Sequence, residues 1–268
     1  MKKRPKQSSI NDILGGKHPI KYFIITGTSR GIGEALANQL LSEHHHIFCI
    51  SRAVNELLIE RAREMNVKLS YCPFDLNHVG EIDRLFDEIF SVITRETDIS
   101  GIYLINNAGM LTPVAPIEQC SSASIAENIN VNLIAPMIIT SNFIKHSQAL
   151  TIDKRIMNIS SASARYLLPF QSCYSTSKAG LDSFSKSVSL EQANQLYPAK
   201  VVSVYPGMID TQLQTEIRSI KKELFAYVDQ FKQIAQEGKL QTADFTAAKL
   251  IDILFGNDFG NPVVVENL

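Results

Sequence analysis

Long apolar runs are missing from this chain: no segment offers about 18 uninterrupted apolar residues, which argues against a membrane-spanning helix. Close cysteine pairs are missing too. Cys49, Cys72, Cys120 and Cys173 stand far apart with no CxxC spacing, so reduced, partly buried thiols are expected and a zinc site or dithiol motif is not. Nor is there a charge excess of either sign, since a net charge of -1 gives no bulk attraction to nucleic acid or an acidic membrane. The opening MKKRPKQSSINDILGGKHPIK is basic but runs into polar residues and a Gly-Gly pair, so a secretory signal is not expected and the cytoplasm is the expected location.

What is present is a balanced globular composition, 45% hydrophobic and 20% charged, over 268 residues, a length that suits one large α/β domain. Residues 1–20 have no periodicity and are expected to form a flexible extension, leaving 21–268 as a single domain. Within it, KYFIIT, HIFCIS, KLSYCPF, IYLINN, RIMNIS, KVVSVYP and PVVVEN read as strands. Between them lie stretches of helical spacing near 31–43, 54–66, 80–95, 121–147, 174–196 and 242–255. Apolar strands alternating with helices predict a doubly wound parallel sheet of about seven strands with helices on both faces. The stretch 212–241 breaks the alternation, being charged and helical with no strand, and is expected to cover a site.

The first strand runs straight into TGTSRGIG, residues 26–33, and a helical pattern follows at once. Strand, glycine turn and helix in that order place backbone N–H groups and a helix N-terminus where a pyrophosphate can sit. Gly27 permits the sharp turn, Gly31 the approach of the phosphates, and Gly33 the close packing of helix on strand. The second strand ends in Ser51 and Arg52, where an acidic residue would bond the ribose of NAD. With Arg30 inside the turn, two guanidiniums suit a 2'-phosphate, so NADP(H) is the expected cofactor.

Tyr174 and Lys178 stand four residues apart in YSTSKAG and share a face if the segment is helical, with Leu181, Phe184 and Val188 as its apolar stripe. A nearby ammonium would lower the tyrosine pKa toward the range of reversible proton exchange. His44, His45 and His46 fall between the first helix and the second strand without a partnering ligand pattern, so a solvated loop and no metal are expected there.

With INNAG at 105–109, NVNL at 130–133, NISSASA at 158–164 and PGMIDT at 206–211, the chain resembles the short-chain dehydrogenase/reductase family over about residues 20 to 268. The resemblance implies a catalytic tetrad of Asn132, Ser161, Tyr174 and Lys178. Ser161 is preferred to Ser160 because it lies thirteen residues before Tyr174. Tyr174 would protonate the substrate, Ser161 would hold its carbonyl oxygen, Lys178 would tune the tyrosine and bind ribose, and Asn132 would hold a water. It further implies cofactor contacts at Ser29 and Ile32 in the turn, at Asp75 and Leu76 for adenine, and at Asn107, Ala108 and Gly109. Pro206, Gly207, Ile209 and Thr211 would meet the nicotinamide end.

Within the family, ITGTSRGIGEALANQLL, LINNAGMLTPVAPIE, NVNLIAPMIITSNFIKH, DKRIMNISSASA and GMIDTQLQTEIRS are similar to the benzil reductases that form (S)-benzoin and to sepiapterin reductases. That implies NADPH-dependent reduction of one carbonyl of a dicarbonyl compound, and RYLLPFQS beside the catalytic pair suits an aromatic or apolar one. A 3-oxoacyl thioester reductase and a non-catalytic NADP(H)-sensing protein are the alternatives. The family also implies a homo-oligomer, a dimer being the expectation, with no nucleic-acid or membrane partner.

Overall fold

Along β1 (Ile20–Thr26) alternate side chains go to opposite faces, Phe23 and Ile25 into one apolar cluster and Tyr22 and Ile24 into another. Both faces are thus buried, as an inner strand of a parallel sheet requires. The computed structural model describes residues 19–222 and 225–268; the expected flexible extension lies almost wholly outside them. The sheet continues with β2 (His45–Ser51), β3 (Lys68–Pro73), β4 (Ile99–Asn106), β5 (Asp153–Ile159), β6 (Lys200–Val204) and the short β7 (Val264–Val265). All neighbours pair in parallel, in the order β3-β2-β1-β4-β5-β6-β7. The order reverses at β1, so the crevice between the carboxyl ends of β1 and β4 is the place where such a sheet accepts a ligand.

Helices cover both faces. Leu36 of α1 (Gly31–Gln39), Leu58 and Ala62 of α2 (Glu56–Glu64), and Ala247, Leu250 and Leu254 of the last helix, α9 (Ala243–Phe255), pack on the side of Phe23. Phe86 and Phe90 of α3 (Ile82–Ile93), Ile139 and Phe143 of α5 (Ala135–Ser147) and Val188 of α6 (Ser172–Gln192) pack on the side of Tyr22. Each of the buried Leu, Ile, Val and Phe side chains contributes about 1.5–3 kcal/mol, which makes the two clusters the main support of the sheet. No helix among the described residues is long and apolar enough to cross a membrane.

Two expectations are corrected here. The single helix expected over 121–147 is α4 (Ser122–Ile129) and α5 joined through a wider π turn, Asn130–Ile134. Pro136 has no N–H to return to the carbonyl four residues earlier, so the regular ladder cannot run through this point. The histidine run is not a solvated loop, because β2 begins at His45 and alternation turns His46 into the protein. His46 Nε2 bonds Ser70 Oγ at 2.8 Å and its ring stacks on Phe48 at 4.6 Å. The helical stretch after β6 is two short helices, α7 (Gln212–Ser219) and α8 (Val228–Gln236). Its ends meet, since Asp210 N donates to Gln241 O and Gln241 N to Met208 O, both at 2.9 Å.

Candidate active site

Because every strand is parallel, the segments that follow β1, β2, β4, β5 and β6 emerge along one edge. The glycine turn is the tightest of them. Gly27 has φ +75° and Gly31 φ +62°, the left-handed region that glycine enters without steric cost. A Cβ on Gly33 would lie 2.2 Å from the Gly27 carbonyl oxygen, so only glycine lets α1 start this close to β1. A Cβ on Gly31 would meet the Thr211 methyl at 3.4 Å, which places the PGMIDT loop against the turn. Ser29 and Ile32 are half-buried in the turn, and Arg30 is exposed.

Beside it, the loop after β2 rests on a hydroxyl cluster. Ser51 Oγ donates to Ala53 O at 2.9 Å and lies 2.7 Å from Tyr71 Oη, which reaches Ala53 O at 3.0 Å. Asn55 Nδ2 donates to Ser29 O at 3.3 Å and to Glu34 Oε1 at 2.8 Å, mooring this loop to the glycine turn. Arg52 is exposed between these fixtures, and neither it nor Arg30 has an ion-pair partner among the described residues. Asp75 Oδ1 accepts from Asn77 N at 3.0 Å and is half-buried, while Leu76 is turned into the core beneath.

The segment after β4 is tied to β1 through one threonine. Thr26 Oγ1 accepts from the backbone N–H of both Asn107 and Ala108 at 3.0 Å, and Asn107 Nδ2 donates back to Thr26 O at 3.0 Å and Gly27 O at 3.2 Å. Gly109 stands between two of the expected catalytic residues: a Cβ there would be 3.2 Å from Asn132 Oδ1 and 3.5 Å from Lys178 Nζ. Asn132, buried in the π turn, accepts from Met110 N at 2.9 Å and donates to Met110 O at 2.8 Å. Asn128 holds the same strand further on, donating to Thr112 O at 2.7 Å.

Two serines end β5, and they face different ways. Ser160 Oγ is buried and donates to Lys178 O at 3.3 Å, whereas Ser161 accepts from Ser163 N at 3.1 Å and its hydroxyl acts on the Tyr174 phenol. Lys178 Nζ donates to Ile159 O at 2.8 Å and lies 5.7 Å from the centre of the Tyr174 ring. Gly180 allows α6 this close to the π turn, since a Cβ there would meet Leu133 Cδ2 at 2.9 Å.

The charge balance differs from the sequence expectation. Burial pushes the Tyr174 phenol up, and the group acting against it is the Ser161 hydroxyl, not an ammonium. Burial pushes Lys178 down to about 8, with the Asp182 carboxylate acting upward. Both shifts have one cause: each group is enclosed by protein and its charged form has lost water.

A third apolar cluster includes Tyr174, which packs with Leu111, Phe225, Ile217 of α7 and Val228 of α8, and Phe170 and Leu213 lean on them. Phe170 has φ +68°, a left-handed backbone for a bulky residue, and its carbonyl accepts from Ala115 N at 3.1 Å. Pro206 and Ile209 are buried below this cluster; Gly207 and Met208 are exposed.

Sequence reasoning missed Thr26, Asn55, Tyr71 and Asn128. Asn55 carries a legible signal, as the side-chain cap of α2 accepting from Leu58 N at 3.0 Å. The other three matter only through neighbours distant in sequence.

Known proteins resemble this chain in sequence and fold. The short chain dehydrogenase family model matches residues 21–222. A benzil reductase ((S)-benzoin forming) of Bacillus cereus is 39% identical over 247 residues, covering 92% of this chain and 99% of its own. A 3-oxoacyl-[acyl-carrier protein] reductase from Brucella melitensis, solved in complex with NAD, superposes with a TM-score of 0.76 at 21% identity, covering 94% of this chain and 96% of its own. A metagenomic short-chain oxidoreductase, solved in complex with NADP, does so with a TM-score of 0.70 at 22% identity, covering 92% and 95%.

Proposed function

The chain belongs to the short-chain dehydrogenase/reductase family, and from that premise we propose that it is an NADPH-dependent reductase of dicarbonyl compounds, yielding an α-hydroxy ketone as in the reduction of benzil to (S)-benzoin. The observation that carries this reading is the meeting of Ser161, Tyr174 and Lys178 under an apolar cover built from Leu111, Ile217, Phe225 and Val228. Polar chemistry at the floor and an apolar roof suit a carbonyl flanked by apolar groups.

A dinucleotide fits the residues present. At Gly31, where a Cβ would meet only the Thr211 side chain, the turn leaves backbone open beside the α1 N-terminus. Of the two solved neighbours one holds NAD and the other NADP, so the preference for NADPH rests on Arg30 and Arg52, exposed, without an ion-pair partner among the described residues, and suited to a 2'-phosphate. When bound, the nicotinamide supplies the hydride.

The protein's own groups supply the rest. Ser161 donates a hydrogen bond to the substrate carbonyl oxygen and stabilises the charge that grows there. Tyr174 gives its proton to that oxygen, and its raised pKa keeps it in the protonated, donating form at neutral pH. Lys178, mostly cationic at neutral pH, stabilises the phenolate left behind. Asn132 holds the Met110 backbone with both ends of its amide and so fixes the floor beside Gly109. The 212–241 segment, with α7 and α8 on Tyr174, serves as the cover that shapes the substrate space.

The test is oxidation of NADPH with benzil, followed by absorbance with NADH in parallel. Turnover with strong preference for NADPH is expected. Turnover of 3-oxoacyl thioesters in place of diketones would move the substrate class, and tight NADPH binding with no turnover across a carbonyl panel would favour a nucleotide sensor.

A further inference from the structure

One turn beyond Lys178 on α6 lies a second buried charge that the reaction above does not use. Asp182 is 7% exposed and accepts from Ser203 Oγ of β6 at 2.6 Å and from Tyr205 Oη at 2.5 Å. Both neighbours donate, which is the complement of a carboxylate, a group with acceptor sites only. Burial and the Asp182 contact hold the Tyr205 hydroxyl well above its ordinary value, so it remains a donor. A buried carboxylate left unpaired would be strongly destabilising. Its placement one helical turn from a buried ammonium therefore calls for an explanation.

The surroundings of Lys178 supply one. Its hydrogen bond goes to the Ile159 carbonyl on β5, which is neutral, and Tyr174 presents a ring face. Asn132 of the π turn, across Gly109, is neutral too. From β6 comes Ser203 and from just after it Tyr205, both engaged by Asp182, and beyond Tyr205 the ion pair of Arg165 and Glu266 is closed on itself at 2.5 Å. Asp182 is thus the opposite charge that acts on Lys178, across the i, i+4 spacing that puts two side chains on one helix face.

We propose that Asp182 is a positioning residue for this reaction: anchored by Ser203 and Tyr205, it keeps the buried Lys178 a cation while Tyr174 releases and regains its proton. This rests on the carbonyl-reductase reading for its purpose but not for its test. The electrostatic consequence is direct, since without Asp182 only a carbonyl dipole would oppose the desolvation of the ammonium.

The test is a pH titration of the Lys178 side chain by NMR in the full-length protein labelled with 13C-lysine, the resonance being assigned by its loss in Lys178→Arg. Wild type is expected to titrate above neutrality, and Asp182→Asn to lower the midpoint by about one pH unit or more. The alkaline limb of kcat against pH should move down with it. Tyr205→Phe, which disturbs the same spot but leaves the carboxylate, should keep the limb where wild type has it. An unchanged midpoint in Asp182→Asn overturns the proposal, as does an equal shift in Tyr205→Phe. If Asp182→Asn does not fold, a wild-type midpoint below neutrality overturns it by itself. Absence of wild-type turnover would strike the carbonyl-reductase reading alone, because the NMR midpoint is read without substrate.

Discussion

The side-chain amide of Asn55 donates to the Ser29 carbonyl at 3.3 Å, so the loop after β2 is tied to the glycine turn. Arg52 and Arg30 sit on the two moored segments, and their spacing is set by the protein before any ligand arrives. Arg52→Ala is expected to weaken NADPH binding about 10- to 100-fold, the range for loss of a hydrogen bond to a charged group. NADH binding should change little. Calorimetric titration with both nucleotides checks this, and an equal loss for each would show that the guanidinium does not serve a 2'-phosphate.

Tyr174→Phe removes the hydroxyl proposed to donate the proton and leaves the ring that packs on Ile217, Phe225 and Val228. We expect kcat to fall by about 100-fold or more, as for loss of a general acid, with nucleotide affinity kept. Steady-state rates on a dicarbonyl, together with nucleotide titration, decide it. A variant retaining near-wild-type kcat would remove Tyr174 from the chemistry.

Gly33→Ala should separate turn geometry from ordinary surface tolerance. Its Cβ would meet the Gly27 carbonyl at 2.2 Å and Asn107 Nδ2 at 2.5 Å, and backbone cannot step aside as a flexible side chain does. A loss of about 1–3 kcal/mol or more is expected from the overpacking, along with impaired nucleotide binding. Gly80→Ala, whose Cβ would meet nothing within 4 Å, is the control, and thermal unfolding of the two compares them.

His46 gives the fold an acid sensitivity. Burial holds its pKa down at about 4, with the Lys68 charge acting the same way, against an unfolded value of roughly 6.5. As pH falls below 6.5 the unfolded chain gains a proton that the folded chain refuses until about 4, so stability present above that window is lost within it. His46→Phe, beside the rings of Phe48 and Tyr22, should flatten the fall by up to about 3 kcal/mol. Unfolding midpoints of both proteins between these pH values measure the difference; parallel curves would mean that His46 is not the source.

Much of this was readable because the signals were local. Apolar strands and the glycine turn announce themselves within a few residues, and the turn glycines are demanded by backbone that folds back on its own neighbours. The i, i+4 pairing of Tyr174 and Lys178 needed only a helix. The break at Asn130–Ile134 was local as well, since Pro136 marks it, but helical periodicity on both sides hid it. Tyr71 could not be read at all. Its hydroxyl matters only because β3 lies beside β2, and nothing in KLSYCPF says which strand will be its neighbour. The direction of the Tyr174 shift was out of reach for the same reason, because proximity of a lysine is visible in sequence and depth of burial is not.

The bond pair between Gln241 and residues 208 and 210 has one further consequence. A chain excursion that leaves and re-enters at a single point behaves as a cassette, whose contents can be exchanged while its socket stays intact. The entropy of closing such a loop grows only slowly with its length, so a longer or shorter roof costs the sheet almost nothing. The segment between these bonds can therefore change in length without disturbing the sheet on which it is seated.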